Sequence, residues 1–263
     1  MRQDERTRYD QALRTARAAA FPPEEFVEQE SFMRAGEILS VASRAGIGPG
    51  VSVLDLCCGV AGPGRLITSR LGCTYLGVDM SASAVELARA RATGLSCRFE
   101  VEEVPPVPGG PFDVVLLLET MLAFPDKETL LGEIAAALVP GGRFAFTVEE
   151  GRPLSEAERE AMPEADTIWP IPLIELVGQM SCAGLEVSWR QERTRSHRQV
   201  ADALIGAFVA ERSAIAAELG GGAVDDLLAA HRLWSDWMQT GRVRKFAIVA
   251  VKNDSRRARR RTP

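Results

Sequence analysis

Hydrophobic and polar positions along the chain fall into two alternating patterns. Short apolar runs at 51–56, 74–79, 96–101, 113–118, 143–148, 185–191 and 245–251 predict strands, several of them apolar on both faces. Between them, 62–71, 81–92, 126–138 and 172–183 carry the spacing of amphipathic helices, with Ser81 as an N-cap and Pro140-Gly141-Gly142 as a stop. Strands of this kind interleaved with helices predict a parallel sheet covered on both sides. Two more helical stretches, about 198–219 and 224–240, are split by Gly220-Gly221-Gly222 and precede the last strand, which can insert antiparallel. Upstream, 10–20 and 25–45 predict two helices broken at Pro22-Pro23, and Gly46, Gly48, Pro49 and Gly50 form a loop.

Composition narrows the function. The 263 residues are 46% hydrophobic and 25% charged, enough for one domain with a helical elaboration. No window approaches a membrane span, and the charged start lacks the apolar region of a secretory signal, so a cytoplasmic protein without membrane association is expected. The five cysteines show no CxxC spacing and there are two histidines, which predicts reduced thiols and no metal site. The net charge is −5 although residues 256–263 hold five arginines and no acid, so the body is more acidic than the whole. That argues against a nucleic-acid groove and predicts a disordered basic tail at 256–263.

The first strand carries Asp55 and runs into Cys57-Cys58-Gly59-Val60-Ala61-Gly62-Pro63-Gly64. Small residues at a strand-to-helix turn let backbone approach a ligand. The second strand ends in Asp79, 24 residues after Asp55, where an acid accepts from two vicinal ribose hydroxyls. A nucleoside cofactor is implied. Asp55 would repel the pyrophosphate of a dinucleotide and suits a ligand with cationic groups, which favours S-adenosylmethionine.

The segments Val53-Leu54-Asp55-Leu56-Cys57-Cys58-Gly59, Leu76-Gly77-Val78-Asp79-Met80-Ser81 and Leu138-Val139-Pro140-Gly141-Gly142-Arg143 resemble class I S-adenosylmethionine-dependent methyltransferases, in particular the small-molecule and natural-product tailoring group, over about residues 25–195. The resemblance implies an α/β, Rossmann-like seven-stranded mostly parallel sheet with the last strand antiparallel, helices on both faces and a helical cap. The expected organisation is a cap over 1–45, a methyltransferase domain over 46–255 and a helical insert at about 195–243. Cys57 and Gly59 would contact the methionine moiety with Asp55 nearby. Asp79 would hold the ribose, with Met80 beside the adenine and Glu100 and Val101 at its amino group and ring. Glu119 falls by the methionine end, and Gln29 resembles a cap-helix residue reaching the cofactor. Two departures stand out: Cys57 and Ala61 replace the first and third glycines of the usual loop, and Ala123 replaces a histidine that many relatives carry.

For the acceptor side the candidates are Phe32, Met121 and Trp169, with His197 and Glu149 as groups that help remove a proton. The expected activity is methyl transfer from S-adenosylmethionine to a small organic acceptor in secondary metabolism, by a monomer or homodimer. The alternative is a protein of this fold that binds the cofactor and catalyses a non-methylating reaction such as a cyclisation.

Overall fold

A computed structural model describes residues 11–253; the expected basic tail, 256–263, lies outside the described residues. Seven strands form one sheet: β1 (Ser52–Leu56), β2 (Thr74–Asp79), β3 (Cys97–Val101), β4 (Phe112–Leu117), β5 (Leu138–Glu150), β6 (Leu185–Glu192) and β7 (Arg244–Lys252). Their order is β3-β2-β1-β4-β5-β7-β6. β7 runs antiparallel to both neighbours and the remaining pairs are parallel. The sheet and the antiparallel last strand are those expected from the apolar runs.

Helices cover both faces because the strands are apolar on both. On one face α5 (Lys127–Ala137) and α7 (Leu173–Cys182) bury Leu130, Leu131, Ile134, Leu176 and Met180 against Leu54, Leu56, Val115 and Leu117. On the other, α2 (Ala35–Arg44), α3 (Gly62–Leu71) and α4 (Ala82–Arg91) bury Ile38, Val41, Ile67, Val85 and Ala88 against Val53, Tyr75 and Leu116. Each fully buried aliphatic side chain contributes about 1.5–3 kcal/mol, so these two layers dominate stability.

A third apolar cluster stands apart from the sheet. In it α1 (Gln11–Ala19) places Leu13 and Ala16 against Val200, Leu204 and Phe208 of α8 (Thr194–Ala210), Ile215 of α9 (Arg212–Leu219), and Val224 and Leu228 of α10 (Gly221–Thr240). A short helix, α6 (Glu156–Ala161), follows β5.

Three expectations need correction. The second N-terminal helix is only Ala35–Arg44; residues 20–34 are turns and irregular chain, with Glu24 and Glu28 at positive φ. Phe26, Phe32 and Met33 are apolar because the segment packs on the core, and their spacing is too irregular for a helix face. Pro140-Gly141-Gly142 does not separate helix from strand: β5 starts at Leu138 and takes these residues in as a bulge opposite β4. Gly221 and Gly222 begin α10 instead of separating two helices by a loop.

Candidate functional site

The strand order reverses between β1 and β4, so the carboxyl ends of the strands there form a crevice. On its β1–β3 side the turn after β1 uses left-handed backbone three times, at Cys57 (φ 57°), Gly59 (φ 54°) and Ala61 (φ 57°). Two of these residues carry a Cβ, at a cost of roughly 1–2 kcal/mol each. Asp79 holds the turn to the end of β2: its carboxylate accepts from Gly59 N–H (2.8 Å) and Ser81 N–H (2.9 Å). Carboxylate lone pairs remain for further donors.

Met80 and Val101 stand beside Asp79 at 68% and 47% exposure, apolar walls open to the crevice. Glu100 is exposed at the outer edge, on β3, where it lines a groove with Arg89 and Arg98. The residues present fit S-adenosylmethionine in this sense: an acid for vicinal hydroxyls, exposed apolar faces for a base, and a turn of small residues.

Asp55 acts on the turn from beneath. It is 4% exposed, and its carboxylate accepts from the Tyr75 hydroxyl. Burial, with a smaller contribution from the charge of Asp79, pushes its pKa up to about 7 against the Tyr75 hydrogen bond. Gly64 is required above that hydroxyl, since a Cβ there would collide with Tyr75. Gly62 is required for a different reason: a Cβ would collide with the Val27 carbonyl. The irregular 20–34 segment therefore sits on the first turn of α3.

Gln29 shapes that segment. It is buried, its Oε1 accepts from Val27 N–H (2.6 Å), and its Nε2 donates to the Glu25 (2.9 Å) and Met33 (2.8 Å) carbonyls. It does so from irregular chain, where a cap helix was expected. Glu28 ties the segment to three elements through Arg14 (2.6 Å), Arg65 and Arg91 (3.2 Å).

Across the crevice, at the ends of β4, β5 and β7, lies a buried polar chamber. Glu149 and Lys245 are register partners on β5 and β7, and the Lys245 ammonium bonds to Glu149 and to Glu119 Oε2 (2.8 Å). Glu119 follows β4 in a left-handed conformation (φ 62°) and donates its N–H to Thr147 Oγ1 (2.6 Å). His197 of α8 is wholly buried above them, with Nδ1 3.8 Å from Glu119 Oε1 and Nε2 3.3 Å from Glu37 Oε2. Glu37 of α2 accepts from Ser196 Oγ (2.7 Å) and Arg34 N–H (3.1 Å) and lies 3.5 Å from Arg193. Phe32 closes the chamber: Lys245 Nζ is 5.4 Å from its ring centre, and its edge meets His197 and His231.

The electrostatics follow from three glutamates sharing few cations. Burial pushes Glu149 up despite Lys245, so it carries the more weakly held charge of the pair. For Glu119, burial is outweighed by Lys245 and then His197, and it stays ionised. Burial of Lys245 is likewise outweighed by the two carboxylates, which keep it a cation. Glu37 falls to about 2, because its contacts with His197, Ser196 and Arg34 outweigh burial. His231, bonded to the Leu227 carbonyl (2.8 Å), is pushed down to about 4 by burial and stays neutral.

The chamber brings together Phe32, Glu119, Glu149 and His197. Met121 is fully buried in the core beneath. Trp169 packs on Arg159 (4.4 Å) and bonds through its backbone N–H to the Leu122 carbonyl (2.8 Å), while buried Lys127 donates to the Phe124 (2.6 Å) and Trp169 (2.7 Å) carbonyls, pinning this loop to the turn after β4. Lys245 and Glu37 were not anticipated. For Lys245 a signal existed: the chain has three lysines against 28 arginines, and two of the three, Lys127 and Lys245, are buried.

Residues 53–142 match the family described as a methyltransferase domain. The chain is 33% identical over 109 residues to a methyltransferase of Streptomyces halstedii, covering 39% of each protein. It spans less than half the length of the curated relatives it matches. Among solved structures, a cyclopropane synthase of Mycobacterium tuberculosis superposes with a TM-score of 0.79 at 14% identity, over 96% of this chain and 99% of that one. A Haemonchus contortus phosphoethanolamine N-methyltransferase, in complex with its phosphorylated amine and S-adenosylhomocysteine, gives 0.78 at 20% identity, over 96% and 59%. Residues 53–142 thus match a methyltransferase domain, and the seven-stranded sheet that contains them has the fold of these solved structures.

Proposed function

We propose that the protein transfers a methyl group from S-adenosylmethionine to a small organic acceptor, as a natural-product tailoring enzyme of the cytoplasm. One observation carries the reading: a crevice suited to the cofactor, between Asp79, Met80 and Val101, and a buried polar chamber lie at the same end of the sheet, the carboxyl ends of its parallel strands. The cofactor, when bound, supplies an electrophilic methyl on a sulfonium.

The chain does the rest. Asp79 takes the ribose hydroxyls, Met80, Glu100 and Val101 flank the adenine, and the Cys57–Gly59 backbone and Glu119 face the methionine end. Gln29 contributes by holding the segment seated on Gly62. His197, buried and oriented by Glu37, accepts the acceptor's proton, and Glu149 supplies a second carboxyl in the chamber. Burial excludes water and fixes the acceptor's line of approach, which supplies much of the rate. Residues 11–45 and 195–243 are proposed as one cap over this chamber, on the packing of α1 against α8, α9 and α10, and residues 1–10 of the expected cap lie outside the described residues.

The test is formation of S-adenosylhomocysteine, with a gain of one methylene in mass in the product, when protein and cofactor meet a small-molecule library. His197→Gln should lower turnover and leave S-adenosylhomocysteine affinity unchanged. A product of unchanged or rearranged mass without S-adenosylhomocysteine would reject methyl transfer in favour of a cyclisation.

A further inference from the structure

We infer that the chamber recognises a neutral hydroxyl and excludes anionic and amine acceptors, so that the methylated atom is oxygen; this deepens the methyl-transfer reading and rests on it. The inference starts from polar atoms that the fold buries and leaves unpaired. Glu119 Oε1, Glu149 Oε2 and His197 Nδ1 are all inaccessible and have no hydrogen-bond partner among the described residues, whereas His197 Nε2 faces Glu37 Oε2 at 3.3 Å. Orphaned buried polar atoms on facing groups cost stability, and three of them together are a binding site awaiting a partner.

The chemistry of the lining selects that partner. Lys245 spends two of its three ammonium hydrogens on Glu119 and Glu149 and turns toward Phe32. A hydroxyl oxygen can accept the third while its proton is donated to Glu119 Oε1 or to a ring nitrogen of His197. A carboxylate or phosphate in the same place would meet Glu37, Glu119 and Glu149, whose charges already exceed the one lysine between the last two. An amine would be held by those carboxylates as its ammonium ion, which has no lone pair to methylate. The carbon frame of the acceptor packs against Phe32, which belongs to the irregular 20–34 segment.

The proton balance is complete within the chain. The acceptor's O–H bond breaks as the oxygen–methyl bond forms, and the proton passes to His197. The imidazolium lies between Glu119 and Glu37 until it returns the proton to solvent.

Because the chain has two histidines, ring-15N histidine labelling gives a spectrum of two side chains, and His231→Gln assigns them. Phenol, cyclohexanol, benzoate and inorganic phosphate are titrated into the protein with and without saturating S-adenosylhomocysteine. Phenol or cyclohexanol should move the His197 signals at concentrations at least tenfold below any effect of benzoate or phosphate. The inference is overturned if an anion moves them as readily, or if neither alcohol does. Failure of S-adenosylhomocysteine to bind, read separately by calorimetry, counts against the methyl-transfer reading, while the titration without it still decides what the chamber takes.

Discussion

Asp55→Asn should make the protein more stable at neutral and alkaline pH. Asp55 is buried beneath the turn it supports, and its pKa is raised from 3.8 to about 7, mainly by loss of water and further by the charge of Asp79. A folded-state pKa above the unfolded value means that the folded protein holds the proton more tightly. The stabilisation is therefore complete below about pH 4 and is lost as pH rises through 7. A shift of about 3 units corresponds to about 4 kcal/mol in total, of which about 3 falls between pH 5 and 8.5. Asparagine keeps an oxygen that can accept from the Tyr75 hydroxyl and never ionises. Urea unfolding of both proteins at pH 5 and 8.5 should show the variant gaining about 3 kcal/mol on the wild type over that interval. A gap that does not change with pH would mean that Asp55 is ionised at no cost, and that the burial argument is wrong.

Three further outcomes are expected. Asp79→Ala should weaken S-adenosylhomocysteine binding at least tenfold by calorimetry, because a charged acceptor contributes about 1.5–3 kcal/mol per hydrogen bond and the variant also releases the Gly59 amide. Gly62→Ala should cost about 1–3 kcal/mol and speed amide exchange over residues 20–34, since the new Cβ must displace the Val27 carbonyl; unchanged exchange would show that the segment is held elsewhere. Lys245→Met should cost about 3–5 kcal/mol at pH 8 by leaving Glu119 and Glu149 buried without a cation, and less as the pH is lowered, because burial already favours the protonated form of Glu149; a cost independent of pH between about 8 and 5 would contradict the shared-charge account.

Some of this was legible in the chain and some was not, for identifiable reasons. The helix from Gly62 to Leu71 and the strand from Thr74 to Asp79 have the bounds their patterns predict, because period and end signals agree there. The left-handed turn could be anticipated from its small residues, although Cys57 and Ala61 adopt it without being glycine. The 20–34 segment does not follow its apolar spacing because its apolar residues answer to tertiary surfaces, Phe26 and Phe32 to the cluster of α1 with α8, α9 and α10 and Met33 to the layer of α2, α3 and α4, and those surfaces are invisible to periodicity. The chamber was half legible. His197 and Glu149 are residue types that draw attention, whereas Lys245 and Glu37 matter through strand register and helix packing that join positions 149 with 245 and 37 with 197. Asp55 is expected beside the ligand from its sequence position, and the fold adds what the sequence does not show, that it is buried and bonded to the Tyr75 hydroxyl.

The 20–34 segment joins these observations into one device. Its Val27 and Glu28 lie on the cofactor turn, through the contact at Gly62 and the ion pairs to Arg65 and Arg91. A few residues further on, Phe32 closes the chamber that holds Lys245 and His197. At its start, Phe21 belongs to the apolar cluster of α1 with α8, α9 and α10, which shares no residue with the two layers on the sheet. A chain only a few residues long cannot move at Phe32 without straining its seat at Gly62, because Gln29 between them is bonded in both directions, to Glu25 and Val27 behind and Met33 ahead. Displacement of Phe32 and displacement of the chain seated on Gly62 are therefore mechanically linked. Gln29 is the side chain that joins the two ends of this segment.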